Sequence, residues 1–133
     1  MIAIVIPGKP MGKARPRVTR KVTYTPKSTV DYQNLVKLCY MQQCDNIVLD
    51  GEIKANIIAY YPIPKNTSKK KRQAMLNEEI RPTKKPDLDN VAKIILDSLN
   101  KVAYKDDNQI VELKIEKYYS EVPRVELQLE EIR

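Results

Sequence analysis

Apolar and alternating stretches along the chain predict four β-strands, at residues 2–6, 52–61, 109–119 and 124–130. The first is continuously apolar and stops at the turn sequence Pro7-Gly8-Lys9-Pro10. The second alternates strictly, with Ile53, Ala55, Ile57 and Ala59 on one side. This pattern predicts a sheet that buries one of its faces.

Apolar residues at helical spacing predict two longer helices. The first begins at Ser28 or Thr29, either of which can cap it, and ends near residue 44. The second covers residues 89–101 and is the most amphipathic segment of the chain. Residues 67–77 start with a capping residue and are rich in lysine, so they predict a short basic helix or a mobile arm.

The length and the order of these elements indicate the fold class. A chain of 133 residues fits one domain, so we interpret residues 1–133 as a single domain. The order favours an α+β fold with a small mixed β-sheet and helices packed on one side. Residues 9–27 contain three prolines and seven Lys or Arg, and they predict a long basic loop.

The chain contains no histidine, which excludes Ser-His-Asp triads, Cys-His dyads and His-based zinc sites. Its two cysteines lie five positions apart on a predicted helix and point to different faces, which disfavours a disulfide between them. No apolar run has the length of a membrane span, and the N-terminus lacks a signal-peptide pattern. The sequence therefore predicts a cytoplasmic protein without a membrane partner.

Charge is unevenly distributed along the chain. Residues 1–86 contain seventeen Lys or Arg and six Asp or Glu, a net charge of +11, whereas residues 87–133 contain seven and eleven, a net charge of −4. A basic excess favours the binding of polyanions such as nucleic acid, although the same residues could equally form a solvated lysine-rich surface. An acidic patch beside it would repel DNA unless cations lay between them, which points to a metal.

Aspartates are concentrated in the acidic part. Asp87 and Asp89 lie two positions apart at the start of the second predicted helix, so their carboxylates can converge on one cation. Lys93 and Asp97 follow at intervals of four on the same helix face, and Asp106-Asp107 precedes the next strand. Oxygen ligands without His or Cys favour Mg²⁺, which can activate water for attack on a phosphate. Lys93 could then stabilise developing charge.

Each of these residues also has a purely structural interpretation. Asp87 or Asp89 could be a helix N-cap near the positive end of the helix. Lys93 could be a surface salt-bridge partner. The sequence Asp106-Asp107-Asn108 could be a turn.

Longer strings that contain these residues resemble a known family, the RusA-like crossover junction endodeoxyribonucleases. Two parts of this chain resemble the family signature. The first is Asp87-Leu88-Asp89-Asn90 with Lys93 and Asp97, and the second is Tyr104-Lys105-Asp106-Asp107-Asn108-Gln109-Ile110-Val111. The phage and bacterial branch has an N-terminal motif similar to Pro7-Gly8-Lys9-Pro10, Lys13-Ala14-Arg15-Pro16-Arg17 and Tyr24-Thr25-Pro26. The resemblance covers nearly the whole chain, and every acidic position and the lysine of the family pattern are filled.

The resemblance implies a bacterial or phage-encoded, Mg²⁺-dependent endodeoxyribonuclease, with Mn²⁺ as a substitute ion. Such an enzyme cleaves four-way (Holliday) DNA junctions by symmetric phosphodiester hydrolysis, in DNA recombination and repair. By the same resemblance, Asp87, Asp89 and Asp107 are metal-binding catalytic carboxylates and Lys93 is the catalytic lysine. Asp106 and Asp97 are additional candidate ligands.

The family further implies a homodimer, which suits a four-way junction because the junction has approximate two-fold symmetry. Phosphate contacts from basic residues would position the junction without reading its sequence. The candidates are Lys13, Arg15, Arg17, Arg20 and Lys21 in the basic loop, and Lys69, Lys70, Lys71 and Arg72 in the basic helix or arm.

Two rival functions are weighed against this one. A catalytically inactive DNA-junction-binding protein of the same family would have no reason to gather carboxylates where phosphates approach. A Mg²⁺-dependent enzyme acting on a nucleotide or small phosphoester would be expected to carry a Gly-rich phosphate loop, and the chain has only three glycines.

Overall fold

A computed structural model describes residues 1–13, 17–18 and 22–132 of the chain, without the side chains of Arg17 and Tyr24. Its helices are α1 (Lys27–Cys44), α2 (Lys69–Leu76) and α3 (Leu88–Ser98), and a short 3₁₀ helix covers Asp107–Gln109. Its strands are β1 (Ile2–Pro7), β2 (Arg17–Val18), β3 (Thr23–Tyr24), β4 (Ile53–Pro62), β5 (Ile110–Ser120) and β6 (Arg124–Glu131). None of the helices within these described ranges is long and apolar enough to cross a membrane.

Four of the strands form one sheet in the order β1-β6-β4-β5. β6 is antiparallel to both of its neighbours, whereas β5 runs parallel to β4. The final two strands are consecutive in the chain but lie on opposite sides of β4, so they do not form a hairpin. The mixed sheet and its helices confirm the predicted α+β fold.

The sheet buries one face against α1 and α3. On β4, Ile53, Ala55, Ile57 and Ala59 have no exposed surface, as their alternation predicts. They join a core that also contains Val36 of α1 and the apolar side of α3. Burial of this kind contributes about 25 cal/mol per Å² of apolar surface, which makes the core the main source of stability.

Two helix ends differ from their predictions. Neither Ser28 nor Thr29 caps α1, because the N-cap residue is Pro26 and Thr29 is buried in the first turn. The second predicted helix ends at Ser98 rather than near residue 101. The buried Tyr104 hydroxyl donates a hydrogen bond to the Leu96 carbonyl, and Lys101 adopts a positive φ of 65°, so the chain turns back at this point.

Both basic segments contain regular secondary structure. Within the predicted basic loop, β2 and β3 pair as a short antiparallel ribbon. The second basic segment forms the helix α2, and the Ser68 hydroxyl caps it by accepting from the amide of Lys71. Arg15, Arg20 and Lys21, predicted to contact DNA, lie outside the described residues, and so does the side chain of Arg17.

Candidate active site

An open cleft of about 660 Å³ lies between α3 and β5. One part of its wall is polar and carries Asp89, Asn90, Lys93 and Asp107. The other part is mostly apolar and is formed by residues of both elements: Leu88, Ala92, Leu96, Ile110, Val111, Leu113 and Ile115, with Glu112 beside them. We call this space the acidic cleft.

The helix α3 supplies part of the polar wall of the acidic cleft because three of its apolar residues point into the core instead. Val91, Ile94 and Ile95 are completely buried in the core. Asp89 and Lys93, four positions apart, therefore share the exposed face of the helix. Both lie beside the cleft, as a role at a common site requires.

Asp107 reaches the acidic cleft from the 3₁₀ helix that precedes β5. Its backbone amide donates a hydrogen bond of 2.8 Å to Oδ1 of Asn100. Burial raises the pKa of its carboxyl above the ordinary value, and the carboxylates of Asp106 and Asp97 raise it further, while contact with the Asn100 side chain lowers it. Negative charge is thus concentrated around Asp107.

Asp106 has a structural role at the start of the 3₁₀ helix. Its side chain accepts a hydrogen bond of 2.9 Å from the amide of Asn108, and Oε1 of Gln109 accepts from the amide of Asp106 at 3.1 Å. This reciprocal pair is a capping box that starts the 3₁₀ helix. The turn interpretation of the sequence therefore applies to Asp106, whereas its neighbour Asp107 lines the cleft.

Asp97 contacts side chains from two different parts of the chain. Its Oδ2 forms an ion pair with the ammonium group of Lys13, which comes from the basic loop 84 positions earlier. Its Oδ1 accepts a hydrogen bond of 3.1 Å from Nδ2 of Asn100. Lys13, Asp97 and Asn100 thus form a continuous chain of contacts that ends at the amide of Asp107, which we call the Asp97 relay.

The basic loop can reach the relay because of a glycine. A Cβ atom at Gly12 would lie 2.9 Å from Cβ of Pro86 and 3.1 Å from Cβ of Asn90. The amide of Lys13 also donates to the carbonyl of Asn90 at 3.2 Å. The close approach allowed by Gly12 therefore places Lys13 beside α3.

Lys93 makes no ion pair with any described residue, and Asp97, one of the two carboxylates four positions from it, is bound to Lys13 instead. Its side chain is exposed at the cleft. The observed contacts therefore do not support Lys93 as a surface salt-bridge partner.

Asp87 occupies the N-cap position of α3, yet among the described residues its carboxylate makes no capping hydrogen bond. It lies in a neighbouring pocket with Lys9, Lys13 and Lys85, and Asn90 lines both this pocket and the acidic cleft. Its charge also contributes, after burial, to raising the pKa of Tyr61 to about 12. The structure thus brings Asp89, Lys93 and Asp107 to one cleft and places Asp87 next to it.

Within the described ranges, no three His, Cys, Asp or Glu side chains converge closely enough to hold a metal by themselves. Mg²⁺ is usually held by one or two carboxylates, with water and substrate phosphate completing its octahedral shell. Asp89 and Asp107 in one open cleft, with Asp87 nearby, are oxygen donors of this kind. The donor set fits a hard divalent cation that is bound together with a phosphate.

The remaining predicted DNA contacts fall into two groups. Lys69, Lys70 and Lys71 are exposed on α2, whereas Arg72 forms an ion pair with Glu121. Lys13 is engaged by Asp97 rather than turned to solvent. The structure therefore leaves the three lysines of α2 as the freest of the described candidates.

Sequence reasoning missed Asn100. It lies just beyond α3 and forms an isolated bridge with Tyr104. Its only signal in the sequence is an amide three positions after Asp97, and such a pattern has no specific meaning before the turn of the chain is known.

The fold and the cleft define a small α+β protein whose site combines two aspartates and a lysine with apolar walls. A family model described as Endodeoxyribonuclease RusA matches residues 7–130 of the chain. The chain is also 35% identical to the uncharacterized protein YqaN of Bacillus subtilis (strain 168), over an alignment of 137 positions that covers 98% of this chain and 96% of the relative. The chain therefore belongs to the RusA endodeoxyribonuclease family, which supports an endonuclease of the Holliday junction resolvase type.

Proposed function

We propose that the protein is a Mg²⁺-dependent endodeoxyribonuclease that resolves four-way DNA junctions by symmetric phosphodiester hydrolysis in recombination and repair. One observation carries this proposal: Asp89, Lys93 and Asp107 line a single open cleft, in a chain that belongs to this family over residues 7–130. Mn²⁺, which also accepts oxygen ligands, is expected to substitute for Mg²⁺.

In this proposal, Asp89 and Asp107 would hold the ion, and Asp87 lies in the adjoining pocket. The ion supplies charge neutralisation at the scissile phosphate and activation of water as the nucleophile. The Asp97 relay fixes the backbone of Asp107, so the carboxylate starts near its working position. Positioning of this kind matters, since a displacement of about 1 Å can cost on the order of 10² in rate.

Lys93 acts on the substrate rather than on the fold. Its ammonium group is free of carboxylate partners among the described residues and lies in the same cleft as Asp89 and Asp107. A preorganised cation at this point stabilises the negative charge that develops on the phosphate oxygens in the transition state.

The basic surface would bind the DNA arms through phosphate contacts, with Lys69, Lys70 and Lys71 of α2 as described candidates. Cleavage of two equivalent strands needs two active sites related by two-fold symmetry, so the working unit is a homodimer.

The test is cleavage of matched DNA substrates. Labelled four-way, flap and linear duplex DNA of the same sequence are incubated with the protein in Mg²⁺, in Mn²⁺ and in EDTA. The proposal predicts paired nicks in the four-way junction with either metal and no product in EDTA. Cleavage in EDTA, or equal cleavage of the linear duplex, would refute it, and junction binding without cleavage would identify an inactive family member.

A further inference from the structure

β5 forms an edge of the sheet, since within the described residues it is hydrogen-bonded to β4 alone. The C-terminal half of its outer side is covered by the connection before α3. There, Nε of Arg81 donates to the Lys117 carbonyl at 2.9 Å, and Nζ of Lys117 donates to the Lys84 carbonyl at 2.7 Å. No hydrogen bond between described residues covers the outer side at residues 111–115, which we call the open edge.

The backbone of the open edge is oriented for pairing. The Lys117 carbonyl is bonded by a group outside the sheet, so it points away from β4. Carbonyl directions alternate along a strand, so the carbonyls of Leu113 and Ile115 point away from β4 as well. An edge strand with such unpaired groups is a template for another strand.

The side chains of the open edge are unusual for a solvated edge. Val111 is 53% exposed and Leu113 is 47% exposed, and both line the acidic cleft together with Ile115. The register with β4 is irregular at Val111. Beyond it, Glu112 and Lys114 alternate with Leu113 and are exposed on the other face of the strand. One face of the open edge is therefore apolar, and the other carries one charge of each sign.

We propose that the open edge pairs with the open edge of a second copy of this chain, antiparallel and centred on a two-fold axis at Leu113. In this register, Glu112 lies opposite the partner's Lys114, and Lys114 lies opposite the partner's Glu112. Opposite charges in directly facing positions stabilise an antiparallel pair, and like charges destabilise it.

The order of charges selects this register over its neighbours. A slip of two residues in one direction would place Glu112 opposite the partner's Glu112. The same slip in the other direction would place Lys114 opposite the partner's Lys114. A slip of one residue would turn the apolar side chains to the wrong face. A slip of four residues would place Lys114 opposite the partner's Glu116, but it would also require the Lys117 carbonyl, which Arg81 already binds. The open edge is thus most complementary to itself in the register centred at Leu113, which favours a second copy over an unrelated strand.

This inference deepens the homodimer of the proposed function and in that respect rests on it. Val111, Leu113 and Ile115 belong both to the open edge and to the acidic cleft. Pairing at Leu113 would therefore bring two clefts side by side across the two-fold axis and would shield part of their apolar walls.

Charge reversal tests the register. Sedimentation velocity over a range of protein concentrations, without DNA or metal, measures the dimer dissociation constant. Glu112→Lys and Lys114→Glu should each weaken the dimer at least about tenfold, because each change places two like-charged pairs across the axis. The double variant E112K/K114E should restore the wild-type constant. Asp31→Lys, an exposed reversal on α1 at the β1 side of the sheet, is the matched control and should leave the dimer unchanged.

A cross-link tests the position of the axis. The two Leu113 Cα atoms of a hydrogen-bonded antiparallel pair would lie about 5.5 Å apart, within the span of a disulfide. Leu113→Cys should therefore form a covalent dimer under mild oxidation, whereas Val122→Cys, an exposed apolar position in the β5–β6 turn, should not. The native Cys39 and Cys44 are each only 6% exposed, so they do not compete.

A monomeric wild type, single reversals without effect, a double variant that stays weak, or equal cross-linking at positions 113 and 122 would each overturn the proposed interface. These readouts need no cleavage. If the dimer behaves as expected but junctions stay intact, the interface stands and the proposed function fails. If junctions are cut while the reversals leave the dimer unchanged, the function stands and the interface fails.

Discussion

Replacing Asn100 with alanine tests whether the Asp97 relay positions the proposed metal ligand Asp107. Asn100 accepts a hydrogen bond of 2.8 Å from the Asp107 amide and donates one of 3.1 Å to the Asp97 carboxylate. Asn100→Ala removes both bonds and leaves the α3 core untouched.

The cost follows from these two bonds. A neutral hydrogen bond contributes about 1 kcal/mol, and one to a charged group about 1.5–3 kcal/mol. The Asp97 side chain is 33% exposed, so solvent lowers the second figure to about 1 kcal/mol. We therefore expect a loss of about 2 kcal/mol in the free energy of unfolding, which a protein of ordinary stability tolerates.

The effect on rate should be larger than the effect on stability. Without Asn100, the start of the 3₁₀ helix can shift, and a shift of about 1 Å at a catalytic group costs on the order of 10² in rate. Single-turnover cleavage of a labelled four-way junction in saturating Mg²⁺ measures this rate, and urea unfolding measures stability.

Two variants serve as controls. Asn100→Asp keeps an oxygen acceptor for the Asp107 amide but adds a negative charge beside Asp97, so it should recover part of the lost rate. Asn34→Ala, at an exposed position on α1, should behave like the wild type. A folded Asn100→Ala protein that cleaves within a few-fold of wild type would refute the positioning role of the relay.

Three further predictions concern the surroundings of the site. Lys93→Ala should keep wild-type stability, since no ion pair is lost among the described residues. Its rate of single-turnover cleavage should fall at least about a hundredfold, and Lys93→Arg should recover only part of that rate. A Lys93→Ala rate within a few-fold of wild type would contradict this role. Gly12→Ala forces a Cβ into contact with Pro86 and Asn90, so the free energy of unfolding should fall by about 1–3 kcal/mol. Thermal unfolding measures this loss, and an unchanged midpoint would contradict the close packing of the loop. Replacing Lys69, Lys70 and Lys71 together with alanine should flatten the dependence of log affinity on log salt by about 0.9 per lost phosphate contact; an unchanged slope would assign them to solvated surface.

Local sequence patterns were sufficient to predict the four strands of the main sheet and the polar face of α3. The alternation in β4 and the four-residue interval between Asp89 and Lys93 depend only on strand and helix geometry, so they could be interpreted without tertiary contacts. The end of α3 was different. It depends on the buried Tyr104, whose contact with Leu96 is formed only when the chain folds back.

The roles of neighbouring aspartates depended on contacts that are distant in sequence. Asp106 and Asp107 are adjacent and chemically identical. The Asp106 carboxylate accepts a hydrogen bond from the amide of Asn108, whereas Asp107 lines the cleft. The family resemblance makes Asp97 a candidate metal ligand, yet Lys13 binds it from another part of the chain. Strand order was also not encoded locally, because β5 and β6 follow each other directly and are separated in space by β4.

A comparison of Asp107→Asn with Asp106→Asn shows whether Asp107 is part of a metal-dependent nuclease site. Asparagine caps helices about as well as aspartate, so Asp106→Asn should keep the fold and most of the activity. Asp107→Asn should bind a four-way junction at least as tightly as wild type, because a charge that repels phosphate is removed. In Mg²⁺, its cleavage of that junction should fall by on the order of 10²–10³, the scale of losing one stabilising group in the transition state. Cleavage by Asp107→Asn at the wild-type rate would show that Asp107 is not a metal-binding catalytic residue.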